Sequence, residues 1–400
     1  MLAAPARRYW DNAATTFPKP PGVTAAVCAY LDEIGASAGR GAYREASESR
    51  RVLDDCRDAV RAVLRARSAD HVIFTLNGTD GLNLGIKALV RPGDHVVTTA
   101  MDHNSVLRPL TALAEQWGVQ HTIVAADPQT TLISPADVVA ALRPDTRLVV
   151  INHASNVTGA LQPIAEIGGA CRARGAWVLV DAAQSAGHVP LNFADLPIDL
   201  LAAPGHKGLL GPLGTGVLVI RAGVEEHMRT VREGGTGSES ERPVQPDLLP
   251  DRFEAGSHNA VGLAGLLAAL RWLKTQTVER LHAAQQRRGT RLLAGLNGCR
   301  GLTVYGPREP EQRVGVFSIR VAGYGPDELA ALLEQRFGLL TRAGLHCAPL
   351  AHRTLGTDRD GGTTRFSLGP FLTDDDVDAA VAALVELTRH AHTPTVTAAY

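Results

Sequence analysis

The sequence predicts an α/β protein that has one large, mostly parallel sheet and a smaller α+β unit near its carboxyl end. Seven apolar runs of strand length lie between residues 71 and 221, and helix-period segments separate several of them. Strands joined through helices need crossover connections, which give parallel pairing and helices on both faces of the sheet. A stretch rich in Gly, Ser, Glu and Pro then precedes a second set of helices and short strands.

The elements of the large sheet follow one another along the chain. The predicted strands are residues 71–75, 95–99, 119–125, 147–153, 177–181, 199–203 and 216–221. The predicted helices between them are residues 80–90, 105–117, 134–142 and 164–174, where apolar residues repeat at helical spacing. We therefore expect residues 21–261 to form one large α/β domain.

The rest of the chain predicts a smaller α+β domain over residues 262–393. Residues 233–250 have the composition of a long functional loop. Further helices are predicted over residues 261–274 and 278–296, from Pro326, and from Thr373, where acidic residues in the first turn favour a helix start. Strands are predicted near residues 301–304 and 314–321. We expect residues 1–20 to be an arm packed on this domain and residues 394–400 to be a tail.

Composition excludes several classes of function. The 400 residues are 45% hydrophobic and 20% charged, as in a globular protein. A formal net charge of −1 argues against nucleic acid or a charged membrane surface as a partner. No apolar run has the length of a membrane span, and residues 1–10 lack the apolar segment of a secretory signal.

Cysteine usage points to a reducing compartment. The chain has five cysteines, which are Cys28, Cys56, Cys171, Cys299 and Cys347. The number is odd and no C-x-x-C pair occurs, so we expect neither a disulfide framework nor a metal site. A cytoplasmic location fits this pattern.

Lysine is scarce in this chain, which has only Lys19, Lys87, Lys207 and Lys274. Lys207 stands apart, since it follows the strand predicted at 199–203 and enters a glycine-rich loop beside His206. A partly desolvated amine in that setting suits Schiff-base chemistry. A loop lysine paired with a carboxylate is an equally good interpretation of this segment alone.

A turn suited to phosphate follows the strand predicted at 71–75. Gly78 and Thr79 lie between that strand and a helix, where free N–H groups and the Thr79 hydroxyl could bind an anion. The alternative is an ordinary helix cap supplied by Thr79 or Asp80.

Polar residues also follow the other predicted strands. Asp181 ends a buried strand at the edge where open α/β sheets bind ligands. A protonated pyridine nitrogen could pair with it, with Gln184 near the ring oxygen, although an ion pair with an arginine is the alternative. His103 could stack on a flat ring, and Asn156 follows a strand in an equivalent place. A lone histidine is more often structural.

One cysteine has a distinctive setting near the carboxyl end. Cys347 lies beside a glycine turn with His346 adjacent and Arg342 close in sequence, and we expect these cations to favour a thiolate. The other cysteines are expected to be inert. Arg365 could bind a carboxylate through its planar guanidinium, with a surface ion pair as the alternative.

Along the chain, the phosphate-type turn, His103, Asp181 and Lys207 follow one another in an order that resembles that of the fold-type I pyridoxal 5'-phosphate (PLP) enzymes. The motifs are similar to those of the class V aminotransferase superfamily, and within it to those of the cysteine desulfurases, from about residue 9 to 390. The similar motifs are Asp11–Thr16, Asn77–Asn83, Asp181–Ser185, Gly205–Lys207, Phe253–Ser257 and the set Arg342, Cys347 and Arg365. The short loop before Cys347 resembles the group II pattern, which is Suf-type or selenocysteine-lyase-like.

The resemblance implies a role for each candidate residue. Lys207 would form the Schiff base with PLP, Asp181 would hold the pyridinium, His103 would stack on the ring, and Asn156 and Gln184 would contact the ring oxygen. Gly78, Thr79 and His206 would bind the phosphate, and Ser257 would reach the phosphate of the partner subunit. Arg365, with Asn156, would hold the substrate, and Cys347 would accept sulfur.

The resemblance also implies L-cysteine or a related sulfur or selenium amino acid as substrate, a homodimer with a shared active site, and a sulfur-acceptor protein as partner. A related C–S lyase, selenocysteine lyase, epimerase or aminotransferase is the alternative. One departure stands out, because Pro204 occupies a position that is often Ser or Thr in such enzymes and removes a hydroxyl donor.

Overall fold

The structure is a computed structural model that describes residues 5–38, 41–67 and 71–390, the last without its side chain. The predicted tail at 394–400 lies outside the described residues, as do residues 1–4 of the predicted arm and 391–393 of the predicted small domain.

The strands form one large sheet and two smaller ones. In chain order they are β1 (Arg8–Tyr9), β2 (Val72–Thr75), β3 (His95–Thr99), β4 (Gln120–Val124), β5 (Thr146–Asn152), β6 (Trp177–Asp181), β7 (Leu200–Pro204), β8 (Gly216–Ile220), β9 (Leu302–Val304), β10 (Val316–Val321), β11 (Leu339–Leu340), β12 (Arg342–Gly344) and β13 (Thr363–Ser367).

Helices cover the sheets. In chain order they are α1 (Val23–Ala29), α2 (Arg44–Leu64), α3 (Gly78–Leu89), α4 (Asn104–Trp117), α5 (Pro135–Ala141), α6 (Ile164–Arg172), α7 (Ala260–Gln276), α8 (Val278–Leu296), α9 (Pro326–Phe337), α10 (Pro349–Leu355) and α11 (Asp374–His390). A π-helical turn, Tyr30–Ile34, continues α1. Among the described residues, no helix combines the length and the apolar character needed to cross a bilayer.

The large sheet has seven strands in the order β2-β8-β7-β6-β5-β3-β4. Only β8 runs against its neighbours, and the other pairings are parallel. Most of its strands are fully buried runs, as expected for a parallel sheet covered on both faces. The predicted fold class is confirmed, and each predicted strand of this sheet agrees with the observed one to within a residue at either end.

The topology brings the ends of several strands to one edge. The registers place Asn152 beside Asp181, and Asp181 beside Ala202. The turn after β2 and the residues after β3 and β7 lie at the same edge, where they line one cavity. The sheet therefore gathers residues that are distant in sequence.

The smaller α+β unit contains an antiparallel sheet in the order β12-β13-β10-β9. Helix α9 begins at Pro326, and the Glu328 carboxylate accepts a hydrogen bond from the Gly325 N–H at 3.4 Å. Helix α11 has the three predicted acidic residues in its first turn. Phe317 and Phe366 form part of the core of the small unit, which is separate from the cores around the large sheet.

Helix α7 packs with the large unit, although the sequence predicts that it opens the small domain. It contacts α1 and α2, and its buried residues, including Leu263, Leu266 and Leu270, belong to a core shared with the large sheet. Helix α8 instead packs on α11. We therefore propose that the division between the two units falls near Thr277, between α7 and α8, and not after residue 261.

The N-terminal arm joins the small unit. Strand β1 pairs in parallel with β11, and Trp10 is fully buried in the core of the small unit. The Ser367 N–H donates to the Trp10 carbonyl at 2.7 Å. Beyond this point the arm reaches the large sheet, because the Thr16 N–H donates to the His206 carbonyl at 3.1 Å.

Candidate active site

A cavity of about 100 Å³ lies at the carboxyl edge of the large sheet. Eight of the predicted site residues line it together, namely Gly78, Thr79, His103, Asn156, Asp181, Gln184, His206 and Lys207. Pro204 lines it as well. Three remaining candidates, Arg365, Cys347 and Ser257, are not among its lining residues.

Lys207 and Asp181 are the charged pair of this cavity. Burial lowers the pKa of the Lys207 amine to about 8, and Asp181 opposes this effect. Burial raises the pKa of the Asp181 carboxyl, which accepts a hydrogen bond from the Ala183 N–H at 2.9 Å. A buried carboxylate with so few partners is stabilised by a cation placed against it. The pair thus supplies an amine that loses its proton readily and a buried carboxyl group that a cation would stabilise.

The turn after β2 presents unpaired donors to the cavity. Asn77 is the helix cap, since its side-chain oxygen accepts a hydrogen bond from the Asp80 N–H at 2.9 Å. The cap is therefore neither Thr79 nor Asp80, the two candidates from sequence. Helix starts leave N–H groups without intrahelical acceptors. Those of Gly78 and Thr79 have no acceptor among the described hydrogen bonds, so they are available to an anion.

Gly78 and Pro204 approach each other closely on the cavity wall. A Cβ added at Gly78 would lie 3.1 Å from Pro204 Cδ. The proline ring therefore occupies the space beside the anion-binding turn. It closes the wall of the cavity but offers no hydrogen-bond donor there.

His206 contributes a buried nitrogen. Its Nδ1 has no hydrogen-bond partner among the described residues. Burial, aided by Lys207 and Lys19, lowers the pKa of His206 to about 4, so the ring is neutral at pH 7. Its backbone carbonyl is well used, because Thr15 Oγ1 and Lys19 Nζ also donate to it, at 3.2 and 3.0 Å. The loop before Lys207 is thus held firmly while the imidazole keeps a free nitrogen.

His103 caps helix α4 and is neutral. Its Nδ1 accepts a hydrogen bond from the Ser105 N–H at 3.0 Å, so the ring proton lies on Nε2. Burial and the nearby Lys207 lower its pKa to about 4. The Ser105 hydroxyl also bonds Thr79 Oγ1 at 2.7 Å, which links His103 to the anion-binding turn.

Asp102 is a residue that the sequence interpretation missed. Its fully buried carboxylate accepts hydrogen bonds from Thr98, from the N–H and hydroxyl of Thr99, and from the Asn152 N–H. These bonds join the ends of β3 and β5 directly beside His103. The sequence feature that could have identified Asp102 is its position next to His103, just after the strand predicted at 95–99.

Asn156 connects the cavity to the small unit. Its Nδ2 donates to the His346 carbonyl at 2.5 Å, and its own carbonyl accepts from Arg365 Nη1 at 3.1 Å. Arg365 is almost fully buried, and its Nη2 donates to Asp11 Oδ1 at 2.7 Å. Arg365 therefore lies beside the cavity, with Asp11 as a counter-ion for which the sequence interpretation assigned no role.

Cys347 is exposed and lies on a turn that contacts the start of helix α4. The Asn104 N–H donates to its carbonyl at 2.9 Å, and Arg342 Nη2 lies 3.8 Å from its Sγ. His346 and Cys347 have φ angles of 48° and 58°, a conformation that costs roughly 1–2 kcal/mol for each non-glycine residue. The turn is thus held in a strained shape by neighbouring backbone groups.

The expectation that His346 is a cation is wrong. Its side chain is buried against His352, at 5.4 Å between ring centroids. Burial, then Arg365 and His352, hold the pKa of His346 well below its ordinary value. Of the two cations expected beside Cys347, Arg342 is therefore the one that remains.

The other cysteines differ in exposure. Burial raises the pKa of Cys56 and of Cys171 to about 12, so both are inert as expected. Cys28 is exposed on α1 and Cys299 is partly exposed after α8. Neither lines the cavity that contains Lys207.

Ser257 lies away from the Lys207 cavity. It is exposed and lines a separate cavity of about 590 Å³ together with Arg50 and Gly235. Its neighbour Glu254 is paired with Arg57 at 2.8 Å and with His258 at 2.7 Å. A role toward a partner subunit stays a prediction.

The chain as a whole matches a known family. Residues 8–380 match the family described as Aminotransferase class-V. The chain belongs to the class V aminotransferase family. A probable cysteine desulfurase of Methanothermobacter thermautotrophicus is 33% identical over 382 residues, which cover 95% of this chain and 94% of the relative. A probable cysteine desulfurase of Aeropyrum pernix is 34% identical over 95% of this chain and 94% of its own.

Solved structures agree with this assignment to the class V aminotransferases. The apo structure of a cysteine desulfurase from Thermococcus onnurineus has a TM-score of 0.88 at 31% identity, covering 96% of this chain and 94% of its own. A cysteine desulfurase of Escherichia coli in its S-sulfonic acid form has a TM-score of 0.84 at 28% identity, covering 95% and 94%. The predicted family resemblance is confirmed.

Proposed function

We propose that this protein is a PLP-dependent cysteine desulfurase, which moves sulfur from L-cysteine to Cys347 as a persulfide and releases L-alanine. The observation that carries the proposal is the position of Cys347. Its thiol is exposed, and Arg342 Nη2 lies 3.8 Å from Sγ. Its backbone carbonyl accepts a hydrogen bond from Asn104, the residue that follows His103, which lines the Lys207 cavity. The cysteine desulfurases among its relatives support the same reaction.

The donors of the cavity fit PLP. The buried carboxylate of Asp181 suits a protonated pyridine nitrogen, and the free N–H groups of Gly78 and Thr79 suit a phosphate. His206 Nδ1 is buried without a partner among the described residues, which is an unmet polar group that a phosphate would satisfy. Lys207 would hold the cofactor covalently, His103 would lie on the ring face, and Asn156 and Gln184 would contact the ring oxygen. When bound, PLP supplies an electron sink for a carbanion.

Lys207 is the group that moves the Cα proton. Its lowered pKa of about 8 leaves a useful fraction of neutral amine near pH 7.5. Arg365 would orient the substrate through its carboxylate, because its planar guanidinium can bind both oxygens. Asn156 bonds Arg365 through its carbonyl, so the orientation of the substrate and of the cysteine turn is set by one residue.

Cys347 completes the reaction as the sulfur acceptor. Its thiolate attacks the sulfur of L-cysteine, the substrate C–S bond breaks, and the electron pair of that bond returns to the substrate carbon. Protonation of that carbon yields L-alanine, and the enzyme retains an S–S–H group. Cysteine plus enzyme thiol thus becomes alanine plus enzyme persulfide, without an external oxidant or reductant.

The proposal includes a homodimer and a second protein. The exposed Ser257 and its separate cavity fit a residue that serves the phosphate of the partner subunit. The short, exposed cysteine turn fits the group II pattern, with sulfur passed to an acceptor protein. All five cysteines are free, which fits a cytoplasmic location.

The test is to incubate the purified protein with L-cysteine and a panel of sulfur and selenium amino acids, and to measure alanine and the protein mass. We expect alanine in equimolar amount to sulfur, and an added sulfur on Cys347. Cys347→Ala should lose both while it retains the visible absorbance of the cofactor. Cys28→Ala, which removes another exposed thiol, should behave like the unmodified protein. Normal turnover of its best substrate by Cys347→Ala would exclude the desulfurase and favour a related lyase, epimerase or aminotransferase.

A further inference from the structure

The guanidinium of Arg365 is held by groups of this chain on two of its three nitrogens. Nη2 donates to Asp11 Oδ1 at 2.7 Å and Nη1 donates to the Asn156 carbonyl at 3.1 Å. Nε is buried and has no partner among the described residues. An arginine bound on two nitrogens keeps one N–H donor for a ligand that replaces Asp11 and also binds Nε.

We propose that Asp11 is a resident counter-ion, which occupies Arg365 until the substrate carboxylate displaces it and which thereby excludes simple anions. Asp11 is thus a specificity residue contributed by the N-terminal arm. The inference rests on the proposed function, because it takes Arg365 as the residue that binds the substrate carboxylate.

The burial of the two partners is unequal, which decides which of them moves. The Arg365 side chain is 1% exposed and the Asp11 side chain is 22% exposed. A buried guanidinium without a counter-ion is strongly disfavoured, so Arg365 needs an anion at all times. The Asp11 carboxylate can rotate toward solvent, whereas Arg365 cannot.

The backbone around Asp11 is held independently of this ion pair. The Ala13 N–H donates to Ser367 Oγ at 2.8 Å, and Ser367 Oγ in turn donates to the Trp10 carbonyl at 2.9 Å. Exchange of Asp11 for a ligand therefore needs only a side-chain rotation, and the arm stays in place.

Competition with Asp11 favours a ligand that makes two hydrogen bonds. Asp11 makes one described hydrogen bond to Arg365, while a planar carboxylate can bind Nη2 and Nε side by side. A single-atom anion such as chloride cannot offer two acceptor atoms to two parallel N–H donors, so it competes poorly with a carboxylate that is tethered to the chain. The charge of Asp11 also reaches Lys207, because it is one of the two carboxylates that raise the pKa of that amine.

The experiment measures binding of propionate and of chloride to the purified holoprotein by calorimetry. Asp11→Asn removes the charge but retains an oxygen acceptor for Nη2. We expect it to bind propionate about tenfold more tightly than the unmodified protein, because a like charge next to the ligand has been removed. We also expect chloride binding to become measurable.

The matched control is Arg8→Gln. It removes another ion pair between the arm and the small unit, Arg8 to Asp376 at 2.9 Å, without touching Arg365. Its propionate affinity should stay within about twofold of the unmodified protein, since additive effects are expected for distant sites. Arg365→Gln should abolish propionate binding, both in the unmodified protein and when combined with Asp11→Asn.

Unchanged or weaker propionate binding by Asp11→Asn would overturn the inference, as would an equal gain in Arg8→Gln. If Asp11→Asn does not fold, Asp11→Ser, which keeps a hydroxyl acceptor, takes its place. Failure of the desulfurase proposal is separately visible. In that case cysteine yields no alanine, while propionate binding still depends on Arg365 and Asp11.

Discussion

The backbone N–H of Asn104 donates to the carbonyl of Cys347 at 2.9 Å, so the exposed cysteine is tethered to the start of helix α4. His103, which precedes Asn104, caps the same helix and faces the cavity that contains Lys207. The two ends of the proposed reaction, proton transfer and sulfur acceptance, are therefore joined through a single helix terminus.

Arg342 should control the reactivity of Cys347. Its Nη2 lies 3.8 Å from Sγ, in a partly exposed setting where a charge contact contributes about 1 kcal/mol. Arg342→Gln should slow alkylation of Cys347 by iodoacetamide at pH 7 by about fivefold. Mass spectrometry of timed samples gives the rate. Arg287→Gln, at an exposed position on α8, should leave the rate unchanged, and an equal effect of both variants would remove Arg342 from this role.

Lys207 should be far more reactive than Lys87 and Lys274 once the cofactor has been removed. With a pKa of about 8, about a quarter of its amine is neutral at pH 7.5, against about 0.1% for a lysine with a pKa of 10.5. Reductive methylation at pH 7.5 should modify Lys207 well before Lys87 and Lys274. Asp181→Asn removes the largest effect that raises this pKa, so it should increase the rate further. Slower labelling of Lys207 than of Lys274 would contradict the prediction.

Asp102 should give the protein an unusual dependence of stability on pH. Burial raises the pKa of its carboxyl to about 6, against an ordinary value of 3.8. A raised pKa means that the folded state binds the proton more tightly, so this group adds stability as pH falls from about 6 to about 4. Relative to Asp102→Asn, the unmodified protein should gain roughly 2–3 kcal/mol in free energy of unfolding across that window.

Urea unfolding at pH 7, 6, 5 and 4 measures this difference. Asp376→Asn is the control of opposite sign, because hydrogen bonds from Thr373 and Arg8 together outweigh the effect of burial and lower the pKa of Asp376. The contribution of Asp376 to the free energy of unfolding is therefore lost as pH falls, whereas that of Asp102 is gained. A pH-independent difference for Asp102→Asn would contradict the assignment.

Pro204 should weaken cofactor binding relative to a serine. The proline lines the cavity beside Gly78 and offers no donor to an anion bound there. Pro204→Ser should lower the dissociation constant for PLP by about tenfold, the gain expected from a hydrogen bond to a charged group. Pro204→Ala restores the backbone N–H without the hydroxyl and separates the two contributions. A serine variant that binds no better than the alanine variant would show that the hydroxyl is not used.

Much of this fold could be predicted from sequence because its strands are local apolar runs. The strand predicted at residues 147–153 is observed at Thr146–Asn152, and that predicted at 177–181 is observed at Trp177–Asp181. A parallel sheet brings its strand ends to one edge, so the amino-acid pattern alone was enough to group His103, Asp181 and Lys207.

The remainder depends on contacts between distant parts of the chain. The sequence indicates a cation at His346, but packing against His352 and beside Arg365 makes it neutral. Helix α7 has the same apolar character whichever unit it joins, and only its contacts with α1 and α2 place it on the large sheet. The pairing of Asp11 with Arg365 spans nearly the whole chain and leaves no local pattern.

The arm has a consequence for how the protein is made. Strand β1 is synthesised before its partner β11 and before the Ser367 that binds Trp10, both of which follow more than 300 residues later. At 5–20 residues per second the arm waits for tens of seconds. The large sheet can form during that time, but Asp11 and Arg365 meet only in a finished chain. A chain that stops before β11 therefore lacks both the pairing partner of its arm and the Arg365 that binds Asp11.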